Sequence, residues 1–208
     1  EIHYDNTGVD VGESIEIAGP AGTDLSGWTL VLYNGANGAA YDTKALSGTL
    51  GNDSNGFGFF TISYPTNGFQ TGAPDGMALV NSGVVVQFLS YEGVFQAVGG
   101  PANGMLSTDI GVSEPGSEPI GLSLQLAGTG KLYQDFTWES AKTATFGAAN
   151  GNQTFSGEPI VFVNEFHYDN AGADIEEGIE LAGTAGFDLA GWKIVLYNGS
   201  NGLSYGTT

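Results

Sequence analysis

The first 44 residues of this chain are written twice. EIHYDNTGVDVGESIEIAG opens the sequence, and EFHYDNAGADIEEGIELAG returns at residue 165. When residue n is set against n + 164, positions 1–44 and 165–208 agree at 27 of 44 places. A tandem repeat of this period is too long for a solenoid unit and suits separate modules strung in a row. Whatever fold 1–44 begins, 165–208 begins again. The copies are unequal. The apolar run GEPIVFVN (157–164) precedes the second copy and reads as the front half of its first strand, with no counterpart ahead of Glu1. The second copy reaches only Thr208, the counterpart of Lys44. The expected organisation is a module over 1–155 with a truncated first strand, and the N-terminal part of a second over 156–208. Both would be cut from a longer array. The Gly-rich stretch 146–158 is the expected linker.

The 35 glycines follow no period of three, and many sit in Asn-Gly pairs such as Asn34-Gly35, Asn55-Gly56 and Asn103-Gly104. Such pairs mark tight turns with positive φ. Short apolar runs lie between them, and no stretch has the length and periodicity of an amphipathic helix. The chain is therefore expected to be all-β. Strands are expected at 1–4, 13–18, 27–33, 58–64, 77–81, 83–90, 120–127 and 131–137, then at 159–168, 178–182 and 191–197. WTLVLY and VVVQFLSY are apolar on both faces in places, which suits strands central to a sandwich. The stretch 98–118 reads as a long loop.

The net charge is −19, with four lysines and no arginine. Nucleic-acid affinity comes from Lys and Arg neutralising phosphates, so direct nucleic-acid binding is not expected. Anionic membrane surfaces are disfavoured for the same reason, and no apolar run has transmembrane length, so membrane insertion is not expected either. A divalent cation would relieve the mutual repulsion of so many carboxylates. The absence of cysteine suits a bacterial surface protein or a cytosolic one.

The acids of the repeated opening are the first place to look for chemistry. Asp5, Asn6, Asp10 and Glu13 lie in or beside one connection between two strands. Their counterparts are Asp169, Asn170, Asp174 and Glu177. Hard cations take six to eight oxygens from such groups, which makes these eight residues the candidate calcium ligands. The spacing is not that of an EF-hand, and the competing reading is a solvated turn in which Asp and Asn cap their own backbone. Glu16 and Glu180 lie mid-strand, as outward charges or as acceptors for a neighbouring loop. His3 and His167 sit beside acids, but no nucleophile elbow accompanies them. With no cysteine and no second histidine in a module, zinc is also disfavoured, and each reads as a structural histidine at a strand end. Trp28 and Trp192 read as core residues. Tyr133, Phe136 and Trp138 alternate in KLYQDFTW, as packing residues or as an aromatic platform for sugar.

The opening signature, with its IEI and AG elements and then DLSGW (24–28) and LYNG (32–35), resembles the bacterial branch of the lamin tail domain family. PDGMALV (74–80), VVQFLSYEG (85–93), IGVSE (110–114), SLQLAGTG (123–130), DFTW (135–138) and TFGAANGNQTF (145–155) are similar to the same branch. The resemblance implies an immunoglobulin-like β-sandwich, secreted or on the bacterial cell surface, and brings no catalytic motif. The basic surface by which animal lamin tails bind DNA and chromatin has no counterpart here. The expected function is a non-enzymatic extracellular repeat module acting in adhesion, spacing or self-assembly, with calcium as its expected cofactor. The expected partners are neighbouring copies of itself, tandem or strand-swapped, and a glycan or other surface ligand. The alternative is an accessory domain of a secreted bacterial nuclease or phosphatase.

Overall fold

The computed structural model describes residues 1–156, 161–173, 175–183 and 187–208. The chain divides into two units, Glu1–Gly157 and Glu158–Thr208. Among the described residues it is nearly all β, with one 3-10 turn at Tyr133–Asp135 and no α-helix.

The first unit is built from two sheets. One contains β1 (Ile2–His3), β2 (Ser14–Pro20), β5 (Phe57–Ser63), β9 (Leu122–Gly130) and β10 (Phe136–Thr143), in the order β10-β9-β1-β2-β5. β11 (Gln153–Phe155) also belongs to it. β1 runs antiparallel to β9, with Ile2 opposite Leu124, whereas β11 runs parallel to β9, with Gln153 opposite Gly128. The other sheet contains β3 (Trp28–Asn34), β4 (Ala40–Ala45), β6 (Asp75–Asn81), β7 (Val84–Tyr91) and β8 (Thr108–Asp109), in the order β4-β3-β6-β7-β8.

One core joins the sheets. Ile2, Ile15, Ile62 and Leu124 from the first sheet meet Leu30, Leu32, Met77 and Leu89 from the second. Alternation sends the intervening residues of β3 the other way. Val31 and Tyr33 enter a second cluster with Ala78, Val80, Phe88, Phe95, Ala97 and Ala102. The segment 92–107 therefore covers the outer face of this sheet, and β3 is apolar on both faces because both are buried. Gly76 forms part of the floor, where a Cβ would stand 2.9 Å from the Phe95 ring. At Asn34-Gly35 the glycine is required by closeness, not by φ, since a Cβ there would come within 2.0 Å of the Pro74 carbonyl oxygen.

Four expectations change in the first unit. The stretch 98–118, expected as a loop, carries β8, paired parallel to β7. The strand placed at 131–137 begins instead at Phe136, because the Asp135 carboxylate accepts from the Lys131 and Leu132 amides at 2.9 and 2.8 Å and closes a turn. The stretch 146–158 is not simply a linker. It contains β11, and Phe155 is buried against Phe57, Phe59 and Phe136. β4 lies where no strand was expected, paired along β3 from Thr29 opposite Ala45 to Tyr33 opposite Ala40.

The second unit has two hairpin-like pairs. β12 (Val161–His167) pairs with β13 (Gly178–Gly183), and β14 (Val195–Tyr197) pairs with β15 (Ser204–Thr207). Of the expected strand 191–197 only the last three residues are β.

Candidate functional site

The repeated signature folds inward in the first unit. Glu13 is fully buried, and its carboxylate accepts from the Gly68 and Phe69 amides at 2.6 and 2.9 Å. Burial pushes its pKa up, against the pull of those two donors. Asn6 is also buried. Its Oδ1 accepts from the Val11 amide at 3.0 Å and its Nδ2 donates to the Val9 carbonyl at 3.0 Å. These two groups of the expected cation set are thus occupied in pinning loops. Asp10 accepts from the Asn6 amide at 3.1 Å through Oδ1, and its own amide donates to Asn67 at 3.1 Å.

Asp5 is the half-buried carboxyl at the start of this loop. Partial burial, then the neighbouring charge of Asp10, pushes its pKa up to about 6, with Glu114 and Glu92 adding to the effect. The structure therefore splits the four expected ligands. Asp5 and Asp10 stand together, while Asn6 and Glu13 turn into the fold. Among the described residues no group of three or more His, Asp or Glu converges as a metal site.

The organising residue is one that the sequence does not single out. Glu114 lies in the loop after β8 and is fully buried. Its Oε2 accepts from the Tyr4 and Asp5 amides at 2.6 and 2.9 Å, and its Oε1 meets His3 Nδ1 at 2.9 Å. Its own amide donates to the Tyr4 hydroxyl at 2.8 Å, and that hydroxyl donates to Glu92 at 2.9 Å. His3 Nε2 lies 3.2 Å from the Val11 carbonyl, which can only accept. With a carboxylate at one ring nitrogen and a carbonyl at the other, both nitrogens donate, which is the imidazolium form. Burial by itself lowers the His3 pKa, but Glu114 overrides it and the pKa is raised. This is a buried ion pair joining positions 111 residues apart in sequence.

A second lock holds the other end of β1. The Glu1 carboxylate accepts from Ser123 Oγ at 2.6 Å, from the Thr145 amide at 2.7 Å and from Thr145 Oγ1 at 2.8 Å. Glu16 accepts from Thr61 Oγ1 at 3.1 Å and from the Gly147 amide. It is therefore an acceptor for a neighbouring loop.

In the second unit only the local part of this arrangement recurs. Asn170 Oδ1 accepts from the Ile175 amide at 2.9 Å, the counterpart of the Asn6–Val11 bond. Asp174 lies outside the described residues. Asp169, Glu177, His167 and Tyr168 are exposed, and Asn170 is half-buried.

The aromatic trio sits elsewhere. Trp138 Nε1 donates to the Tyr133 hydroxyl at 2.9 Å, and Phe136 is buried. All three line a cavity of about 170 Å³ whose other walls include Ile17, Ala18, Leu126 and Phe155. Trp28 is half-buried and packs on the core, while Trp192 is exposed.

No protein-family model, no curated protein and no solved structure matches the chain.

Proposed function

We propose that this chain is a non-enzymatic extracellular protein in which a lamin-tail-type, immunoglobulin-like β-sandwich recurs in tandem and works in adhesion or assembly beside copies of itself. One observation carries the reading. The repeated polar signature is used by the first unit as a framework: its buried Glu13 accepts from the Gly68 and Phe69 amides, and its Tyr4 and Asp5 amides donate to Glu114 of a distant loop. A signature of this kind recurs wherever the module recurs, without any reaction to perform.

The test is to complete the second copy. A chain in which residues 45–157 are repeated after Thr208 should half-bury Trp192, as Trp28 is, and fully bury Tyr168, as Tyr4 is. Trp192 fluorescence should then shift to the blue and the second copy should resist protease. A completed copy that remains exposed and protease-sensitive would rule the module reading out.

Calcium enters this reading through Asp5 and Asp10, the two carboxyls of the loop that stand together. A melting temperature raised by calcium and insensitive to it after Asp10→Asn would support that part. An unchanged melting curve in EGTA would remove it.

A further inference from the structure

In an unbroken strand, residues three apart point to opposite faces. β10 breaks that rule between Glu139 and Lys142. Glu139 stands opposite Gln125 and Lys142 opposite Ser123, so β10 advances three residues while β9 advances two. The extra residue is a β-bulge, which re-aims a side chain. It turns Lys142 onto the face of Glu139, and Lys142 Nζ donates to Glu139 Oε2. Alone, such a pair at the surface is worth little.

A third group sets it apart. Asn152 Nδ2 donates at 3.1 Å to the same Oε2. Asn152 ends the connection from β10 to β11, and its carbonyl accepts from the Gly128 amide of β9 at 2.9 Å. Two residues earlier, Asn150 Nδ2 donates to the Leu126 carbonyl of β9 at 3.0 Å. The backbones that carry the amine, the carboxylate and the carboxamide are thus all fixed to one strand. The bond from Lys142, and then that from Asn152, holds the Glu139 pKa below its ordinary value, so the carboxylate is charged and keeps both donors.

We propose that Lys142 and Asn152 are the two halves of an isopeptide bond that the chain forms on itself, with Glu139 relaying the proton. Glu139 Oε2 takes one proton from the Lys142 ammonium. The freed amine attacks Asn152 Cγ, and the Nζ–Cγ bond forms. The attacking nitrogen passes a second proton to Nδ2, and the Cγ–Nδ2 bond breaks. The departing ammonia takes the proton held by Glu139 and leaves as ammonium. Nothing is oxidised or reduced, and Glu139 returns to the carboxylate. Two groups held on one oxygen meet without the cost of a bimolecular encounter. One amide replaces another, so the bond energies nearly balance. The site is open, since Asn152 is exposed and Glu139 and Lys142 are partly so, and ammonium is lost to solvent. The product closes 142–152 into a ring and ties β10 to the start of β11, a covalent staple in a chain without cysteine. It stands independently of the tandem-module reading.

The experiment is mass spectrometry of the intact full chain through a long incubation at neutral pH, followed by peptide mapping. The wild type should lose the mass of one ammonia, and trypsin should no longer cut after Lys142. After chymotrypsin cuts at Phe146, the pieces carrying Lys142 and Asn152 should stay joined. Lys142→Arg and Asn152→Ala should each keep the full mass. Glu139→Gln keeps the size of the side chain without its charge and should slow the loss roughly a hundredfold or more. All three changes lie at the surface, and melting curves matching that of fresh wild type show that each variant is folded. A wild-type chain that keeps the full mass and is cut after Lys142 overturns the proposal. So does an ammonia loss that survives Lys142→Arg or Asn152→Ala, since it would come from an Asn-Gly turn. A folded Glu139→Gln chain that cross-links at the wild-type rate overturns it as well.

Discussion

Tyr33 and Tyr197 hold the same place in the repeat and opposite places in the molecule. Tyr33 is 0% exposed, its ring edge-on to Phe88 and its hydroxyl accepting from the Ala102 amide, whereas Tyr197 is 65% exposed. Ile2 and Phe166, and Tyr4 and Tyr168, differ in the same way. Yet the Asn6–Val11 bond has its twin in Asn170–Ile175. The positive φ of Gly12, 77°, is kept at 58° by Glu176, a residue for which it is costly. Turn chemistry thus travels with a short sequence. Burial does not, because the groups that cover the signature come from farther along the chain. Glu114, Phe88 and Leu124 have no counterparts within 165–208.

The contrast can be broken by paired substitutions followed by denaturant unfolding. Tyr33→Ala should destabilise the first unit by about 4 kcal/mol, as large aromatic truncations in a closed core do. Tyr197→Ala should stay within about 0.5 kcal/mol, as at an open surface. Equal effects would mean that the two environments are alike. His3→Ala leaves the Glu114 carboxylate buried without its cation and should cost about 3 kcal/mol. His167→Ala should again change little.

Acidity sharpens the comparison further. Burial, and then neighbouring charge where it acts, raises the carboxyls of Asp5 and Asp75 to about 6, and those of Glu13 and Glu16 are raised too. A carboxyl whose folded pKa is raised binds its proton more tightly in the folded state, so stability falls as pH climbs from about 4 to about 6. The raised His3 contributes fully below its ordinary value of 6.5 and loses that contribution as pH rises through the folded one. Both act in the same direction. The melting temperature should be higher at pH 5 than at pH 8, and Asp5→Asn should narrow the gap. A chain more stable at pH 8 would contradict these assignments.

Much of the sandwich was legible because its central strands are apolar runs between turns. WTLVLY and VVVQFLSY reveal themselves by having no polar face. AYDTKA does not, since β4 is a largely polar edge strand, held by its pairing with β3 and by Tyr41 alone against the core. β11 hides in GAANGNQTF, where Phe155 alone betrays it by finding three aromatic neighbours. The site was half legible. The signature could be seen to recur, but the direction of its side chains depends on Glu114. Nothing near Glu114 in sequence tells that its carboxylate closes onto β1.

The positions of β1 and β11 on a single strand have a mechanical consequence. One runs antiparallel to β9 and the other parallel, so the chain ahead of Ile2 and the chain beyond Phe155 leave toward the same end of β9, that of Gly130. Tension applied between these two points does not shear a whole register at once. It peels the first and last strands away bond by bond, each bond carrying the full pull in turn. A module tethered through both ends yields at low force and lengthens, behaving as a soft, extensible link and not as a stiff one.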